Sequence, residues 1–597
     1  MGPAEKPLDL GTGRVCASFD ATTAAWLSIG RPDERHGFIE LSAVPPFDER
    51  QRGDPAATRR HRTELTRAEH AFLCVELDGH HPTLTADLSD PVWITWSAPD
   101  VAISAGATAG ASQLRQTWSI GRRARVEIVL RGALDRPALA EITELVPPTP
   151  TGAGRTNRRQ VSGGVRLEAP DLPATVEVAI SPAVAWEERD SMLVGRVAWP
   201  DGNDRLELDI VVRLDGTADA RAVTAAADAE PRERLTGRAL AYIRGCTALS
   251  VAAGERAFLT DHRILPLSWT RDAYWQALAL LAADGPGDRD RVADHLRWLW
   301  RRCERPDGRW VRSHHANGLR KDLAFQADQQ LYPMIELADY WRRCGSLPGG
   351  VAWEVEVARA WSAALEEIDA ASGLISCAEN AADDPAVAPF IGASQVLLWY
   401  AALRLAEIAG LLSMDASELR AAAAAVRAAF DRHVAAPGEP WAYAVDARGA
   451  RVVYHDANDL PVALAPAWGF CDPADPGWRA TMRFAFGAAN PGWVDGARPG
   501  LGSAHTPGPW TLGDVQAWLV ARSVGDAAGQ AEVIGRLEEV AFGDGMLPEA
   551  YAPDRHDDWR IRHWFAWPGA ALAALRLLDR DGGLEARLSA RPRPPSR

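Results

Sequence analysis

The spacing of apolar residues changes once along this chain, and that change limits the folds open to it. Up to about Gly216, short segments alternate apolar and polar residues, as in Val92-Trp-Ile-Thr-Trp-Ser97, Ala124-Arg-Val-Glu-Ile-Val-Leu130 and Arg205-Leu-Glu-Leu-Asp-Ile-Val-Val-Arg213. A period of two puts every second side chain on one face of a strand, so these segments predict antiparallel sheets packed as a β-sandwich. From Arg232 onward the period becomes helical, and about twelve helical segments follow. The expected spans are 232–252, 271–284, 289–304, 322–345, 353–369, 390–411, 415–434, 457–467, 475–487, 511–523, 526–541 and 564–580. One apolar face runs through Val396, Leu397, Tyr400, Leu403 and Leu405. Twelve helices joined by alternating short and long loops predict six hairpins closed into an (α/α)6 barrel.

An Ala- and charge-rich stretch, TADARAVTAAADAE at 217–230, separates the two patterns. The expected division is an N-terminal β-sandwich domain over 1–230, a barrel over 231–585 and a disordered tail over 586–597. A chain of 597 residues is too long for one ordinary core, which agrees with at least two domains.

With 80 acidic against 65 basic residues, net charge −15 and no long run of either sign, the chain is unsuited to nucleic acid or an anionic membrane. The first residues lack a basic stretch followed by an apolar run, and no apolar segment reaches membrane-spanning length, so a cytoplasmic location is expected. The seven cysteines are odd in number and scattered without metal-type or redox-type spacing, so buried reduced thiols are expected. Tryptophan is the outlier: 24 residues against 8 Tyr and 13 Phe. Core packing accounts for many of them, and the excess favours a flat-faced ligand such as a sugar ring.

In a barrel of hairpins every second loop opens on the same face, and the long loops of this chain carry its Trp, Asp, Glu and His residues. Hydrolysis of a glycosidic bond needs one carboxylic acid to protonate the leaving oxygen and one carboxylate to activate water or attack carbon. The loop 373–385 offers Glu379, Asp383 and Asp384, and the Gly- and Pro-punctuated segment 543–570 offers Glu549 beside Trp564, Phe565 and Trp567. The segment 266–275 adds Trp269, Arg271 and Asp272, a fork donor beside an acceptor, suited to clamping vicinal hydroxyls. Asp328 and Gln329 in FQADQQ, Asp456 and Asn458 in YHDANDLP, and His505 and Trp510 in GSAHTPGPW supply further polar and aromatic groups. Taken singly, each acid reads equally as a helix cap or a solvated charge. No catalytic-zinc spacing, phosphate loop or nucleophile elbow is present in the sequence.

At these residues the chain resembles the inverting six-hairpin glycosidases, and most of all glycoside hydrolase family 125, the metal-independent exo-α-1,6-mannosidases. The likeness runs in order through WTRDAYW (269–275), ADQQLYPMIELADYW (327–341), ADDPAVAPFIGASQ (382–395), HDANDLPVAL (455–464), GSAHTPGPWTLGDVQ (502–516) and GMLPEAYAPDRHDDWRIRHWFAWPGA (545–570). The resemblance implies an exo-acting α-glycosidase working on a carbohydrate substrate, with no cofactor and no catalytic metal. It implies that the Asp383–Asp384 pair holds the general acid, with Asp384 preferred and Glu379 in reserve, and that Glu549 is the general base. The acid is expected to have a raised pKa, and the two carboxyls to lie roughly 6.5–9.5 Å apart so that a water fits between them. Arg271, Asp272, Asp328, Gln329, His505 and Trp510 would hold the terminal sugar, with Trp269 and Trp567 supplying apolar faces.

The chain departs from the family at Pro548, where the family has His, at Thr511-Leu512 after Trp510, and at Ala382 and Pro385 around the aspartate pair. These departures bear on the choice of mannose more than on hydrolysis. A glucoamylase-like α-glucosidase is the neighbouring expectation, and a sugar epimerase or a non-catalytic sugar-binding protein the more distant ones.

Overall fold

The computed structural model describes residues 6–45, 55–88, 93–136, 156–200, 202–215, 233–559 and 564–589. The chain divides into two compact units, residues 1–268 with 315–319, and residues 269–314 with 320–597. The connection expected at 217–230 lies outside the described residues.

The first unit is β-rich. One antiparallel sheet runs in the order Leu8–Gly11, Cys16–Phe19, Trp26–Asp33, Leu73–Leu77, Val126–Leu130, Met192–Val197 and Ala185–Arg189. A second runs Asn157–Val161, Gly164–Glu168, Thr175–Ser181, Leu206–Asp215, Gln113–Ile120, Val101–Ala107, Trp93–Ala98 and Thr85–Asp87. Alternation does the work that the sequence predicts: along Leu206–Asp215 alternate side chains are buried. Both sheets turn apolar faces into one core, with Trp26, Ile29 and Ile128 from the first and Trp96, Trp118, Val176 and Ile210 from the second. A buried amide fixes the tryptophans, because Gln116 Oε1 accepts from Trp26 Nε1 at 2.9 Å and Trp118 Nε1 at 3.0 Å.

Residues 234–268 cluster with this unit, and they are not the single helix expected over 232–252. Helix α1, Arg234–Tyr242, loosens into a wide turn at Ile243–Thr247, and the chain then pairs Ala248–Ala252 with Glu255–Phe258. The cause is close packing of backbone on backbone. A Cβ on Gly11 would lie 2.2 Å from the carbonyl oxygen of Gly245, so only glycine permits the approach.

The second unit is helical. Its elements are α2 (Thr270–Ala283), α3 (Asp288–Arg297), α4 (Ala327–Cys344), α5 (Trp353–Leu365), α6 (Gly392–Ile408), α7 (Ala416–His433), α8 (Leu460–Trp468), α9 (Pro476–Ala485), α10 (Thr511–Ser523), α11 (Ala527–Val540) and α12 (Ala566–Arg580). The even-numbered helices form a chain of neighbours, α2 on α4, α4 on α6, α6 on α8, α8 on α10 and α10 on α12, and α12 packs back on α2. They are buried nearly all round, as α6 is from Gly392 to Ala402, whereas α7 buries only Leu419, Ala423, Val426, Ala429 and Phe430. An all-round apolar helix belongs inside, and a striped one outside.

Helix starts differ in part the same way, with α3 and α5 as uncapped exceptions among the outer helices. Outer helices α7, α9 and α11 begin at Asp415, Asp475 and Asp526, whose side chains accept from backbone N–H groups of the first turn. Inner helices α2, α4, α6, α10 and α12 begin at extended Trp269, Gln326, Ile391, Trp510 and Phe565 without a side-chain cap. At the C-terminus, Leu584–Leu588 form a short helix with Leu584 and Leu588 buried, and Arg342 donates to the carbonyls of Arg587 and Ser589. The expected disordered tail therefore does not begin at 586, and 590–597 lie outside the described residues. No helix among the described residues is long and apolar enough to cross a membrane.

Candidate active site

The long loops that lead into the inner helices are tied down by buried glutamines one turn or so into those helices. In α4, Gln330 Oε1 accepts from the Trp310 N–H at 2.9 Å and Nε2 donates to the Trp310 carbonyl at 2.7 Å. In α6, Gln395 does the same for Ile375, at 2.9 and 2.8 Å, and also donates to Ile391. In α10, Gln516 Nε2 donates to the carbonyls of Asp456 and Ala457, while its Oε1 meets His455 Nε2 at 2.8 Å. A carboxamide carries both a donor and an acceptor, so it can pair with a peptide group where no strand is at hand.

The Gln395 clamp on Ile375 leads into the loop that carries Glu379, Asp383 and Asp384. Asn380 Oδ1 accepts from the N–H groups of Ala382 and Asp384, which curls the chain and holds Asp383 at φ +66°. The Asp383 carboxylate accepts from Trp269 Nε1 at 3.0 Å and Gln326 Nε2 at 2.6 Å, with Arg271 Nη2 at 3.5 Å. Arg271 also donates to Asp328 at 2.8 Å, lies 3.5 Å from Asp272, and covers the Trp567 ring at 4.7 Å. Burial works against the charge on Arg271, and Asp328, Asp383 and Asp272 together outweigh it, so the guanidinium is held up and charged. Glu379 is gripped by Arg312 at 3.2 Å and by Gln326 at 3.2 Å. Burial raises the Glu379 carboxyl above its ordinary value despite Arg312, and Asp383 pushes the same way.

Asp384 stands apart from this cluster. Its Oδ1 meets His505 Nδ1 at 3.2 Å, and its Oδ2 is buried with no hydrogen-bond partner among the described residues. Burial alone would push His505 down, but the hydrogen bond to Asp384 and the charges of Glu549, Asp384 and Asp383 raise it to about 9. One imidazole therefore feels both carboxylate loops, which come from distant parts of the chain.

Glu549 is held through its backbone. Its carbonyl accepts from the Thr511 N–H at 3.2 Å, Thr511 Oγ1 donates to the Pro548 carbonyl at 2.6 Å, and the Tyr551 N–H donates to the Pro509 carbonyl at 3.0 Å. The side chain is 5% exposed, and its carboxylate takes no hydrogen bond from the described residues.

The structure thus brings together Trp269, Arg271, Asp272, Asp328, Glu379, Asp383, Asp384, His505 and Glu549. Five expected sugar contacts are engaged within the protein. Gln329 has no exposed surface; its amide takes Thr270 Oγ1 and the Arg271 N–H and gives to Gln326, so it shapes the site from behind. Both oxygens of Asp456 are taken: Oδ1 by Asn458, and Oδ2 by Tyr454, Ser503 and the Ala504 N–H. Asn458 is correspondingly tied to Asp456 and Ser503. The pair fixes the loop that carries His505. Trp567 has one face covered by Arg271. Trp510 is 2% exposed and donates to the Thr506 carbonyl, with its ring edge-on to His505. Sequence reasoning missed Gln326, Arg312 and Asp322, which accepts from Arg312 Nε at 3.2 Å. Gln326 was legible as the residue before a helix in a polar loop, whereas Arg312, in RWVRSHH, carried no signal.

Residues 359–577 match the family model described as metal-independent alpha-mannosidase (GH125). Among solved structures, a bacterial glucoamylase complexed with acarbose is similar at 10% identity over 98% of this chain and 96% of that one, with TM-score 0.63. A metal-independent α-mannosidase of Streptococcus pneumoniae, in a non-productive complex with α-1,6-mannobiose, is 18% identical over 58% of this chain and 93% of its own, with TM-score 0.49. No curated protein matches the chain. The segment 359–577 thus matches a glycoside hydrolase family, and the chain shares its fold with a bacterial glucoamylase.

Proposed function

We propose that the chain is an inverting exo-α-glycosidase that releases a terminal α-linked hexose, α-mannoside favoured, from an oligosaccharide or glycoside. The even-numbered helices then form the inner wall of an (α/α)6 barrel, their loops form the site, and the β-rich unit is a β-sandwich, with the functional division at 230/231.

One observation carries the reading: His505 Nδ1 meets Asp384 Oδ1 at 3.2 Å, and the His505 loop ends at Trp510, which pairs with Ala550 beside Glu549, so the two carboxylate loops share one locale. Within it the roles separate by their partners. Fixed donors, one of them a guanidinium, hold Asp383 and suit it to organising the pocket. Asp384 keeps one oxygen without a donor and is the general acid, giving its proton to the leaving oxygen. Glu549, unencumbered by donors, takes a proton from the attacking water, whose oxygen bonds to the anomeric carbon as the glycosidic bond breaks. Arg271, Asp272 and Asp328 supply the polar edge that reads the sugar hydroxyls.

A second reading for the acid is Glu379, favoured by its raised carboxyl. A second reading for the sugar is glucose, favoured by Pro548 at the place where the family has His. The test is hydrolysis of aryl α-mannosides and α-glucosides followed by proton NMR. Early appearance of the β-anomer of the released hexose supports inversion, and early α-anomer refutes it. Loss of turnover on natural glycosides in Asp384→Asn but not in Glu379→Gln assigns the acid, and the opposite pattern moves it to Glu379.

A further inference from the structure

We propose that Cys74, Glu76 and His81 of the β-rich unit bind one zinc ion, a structural clip separate from the hydrolytic site. The argument begins with the sequence Leu73-Cys-Val-Glu-Leu-Asp-Gly-His-His81. An Asp-Gly pair after an alternating strand is a strong hairpin signal, because a two-residue turn needs positive φ at both positions. Asp78 at φ +56° and Gly79 at φ +82° adopt it, and Leu77 pairs with His80 through bonds of 2.8 and 3.2 Å. The next pair outward in that antiparallel register sets His81 beside Glu76. Cys74 lies two residues before Glu76 and so faces the same side of the strand.

The consequence is three different ligand types gathered by one hairpin. A thiol sulfur, a carboxylate oxygen and an imidazole nitrogen lie within 4.8 Å of one another. Tetrahedral zinc with bonds of about 2.0–2.3 Å needs ligand atoms about 3.3–3.8 Å apart, so a shift of about an ångström closes the site. Two further observations point to a cation. The His81 Nδ1 is buried with no hydrogen-bond partner among the described residues. Glu76 also stands directly opposite Glu127 in the sheet register, a like-charge pair that Arg196 and Arg125 relieve only on the Glu127 side. An arriving zinc would displace the Cys74 proton to solvent and take the thiolate.

The donor set selects the metal. Thiolate with imidazole and one carboxylate suits zinc over the hard cations that oxygen-only sites take, and partly exposed Glu76 and His81 leave room for a water as fourth ligand. None of these residues takes part in the proposed chemistry, so the clip is compatible with a hydrolase that uses no metal.

The full chain, saturated with zinc and dialysed, should retain about one zinc by mass spectrometry of the metal. His81→Ala should retain none while its circular dichroism and glycosidase activity match the wild type. Replacement by cobalt should produce thiolate-to-metal charge-transfer absorption, absent in Cys74→Ala. If that variant fails to fold, Glu76→Gln with at least tenfold weaker zinc binding serves the same purpose. Failure of the wild type to retain zinc, equal retention in His81→Ala, or a cobalt spectrum without the thiolate band each overturns the proposal.

Discussion

The two loops that carry the carboxylates are held in opposite ways. The acid loop is fastened by side chains: Trp269, Gln326 and Arg271 converge on Asp383, and Arg312 with Gln326 on Glu379. The base loop is fastened by its backbone, through Thr511, Pro509 and Tyr551, and Glu549 is left without a side-chain donor. A carboxylate that must accept a proton from water gains nothing from donors that lower its basicity. The difference in fastening accords with the proposed division between acid and base.

The largest effect should come from removing the member that is held only by its backbone. Glu549→Gln keeps size and leaves the Thr511 bonds to the peptide groups, so the fold should persist while kcat falls by about 10³-fold or more. Circular dichroism with turnover on an α-glycoside checks both halves, and residual activity within tenfold of wild type would break the comparison. On the acid side, Asp384→Asn should reduce kcat by about 10²–10³-fold for alkyl or sugar leaving groups. Aryl glycosides with acidic phenols should lose much less, because such leaving groups need little protonation. Equal losses on both substrate types would mean that Asp384 is not the acid.

Stability should separate the loops as well. Arg271 is buried and serves Asp328, Asp383 and Asp272 at once, so Arg271→Ala strands carboxylates without a counter-charge. A loss of about 3–5 kcal/mol in urea unfolding is expected. Gln395→Ala removes three bonds to the peptide groups of Ile375 and Ile391 and should cost about 1–3 kcal/mol. With it, KM and kcat should worsen while the acid loop loosens, and Glu549 should remain in place.

These residues also show what could be read from the chain alone. Outer helices were legible almost to the residue, because a stripe of Leu419, Ala423, Val426 and Phe430 begins at a capping Asp415. Inner helices were legible as apolar runs, and the span expected at 511–523 is the one observed, whereas α4, expected from 322, begins only at Ala327 after extended, uncapped Gln326. Trp269, Arg271, Asp328, Asp383, Asp384, His505 and Glu549 were found as motifs, and the structure brings them together. Gln329 and Asp456 were misread as sugar contacts because the sequence shows polarity without orientation. Gln330, Gln395 and Gln516 were invisible as clamps, since a glutamine that replaces a strand partner looks like any other polar residue within a helix. The break of the expected 232–252 helix depended on Gly11 meeting Gly245, a contact between residues far apart in sequence.

The smallest effect should come from the side chain that feels the charge of both loops. His505 is raised from its ordinary 6.5 to about 9 by its bond to Asp384 and the nearby carboxylates, against the pull of burial. A group whose folded value is raised gives stability that is fully present below the unfolded value and disappears as pH climbs through the folded one. The pair should therefore stabilise the wild type over His505→Ala below about pH 6.5, and the gap should close as pH rises through about 9. With a third of each side chain exposed, at 34% for both His505 and Asp384, solvent screening keeps the shift to a small one, read as Tm against pH. Asp384→Asn should abolish most of the same pH dependence, whereas Glu549→Gln should remove only a part, because Glu549 acts on the imidazole through space rather than through a hydrogen bond. A pH dependence that survives Asp384→Asn intact would place the partner of His505 on the base loop and erase the contrast between the two.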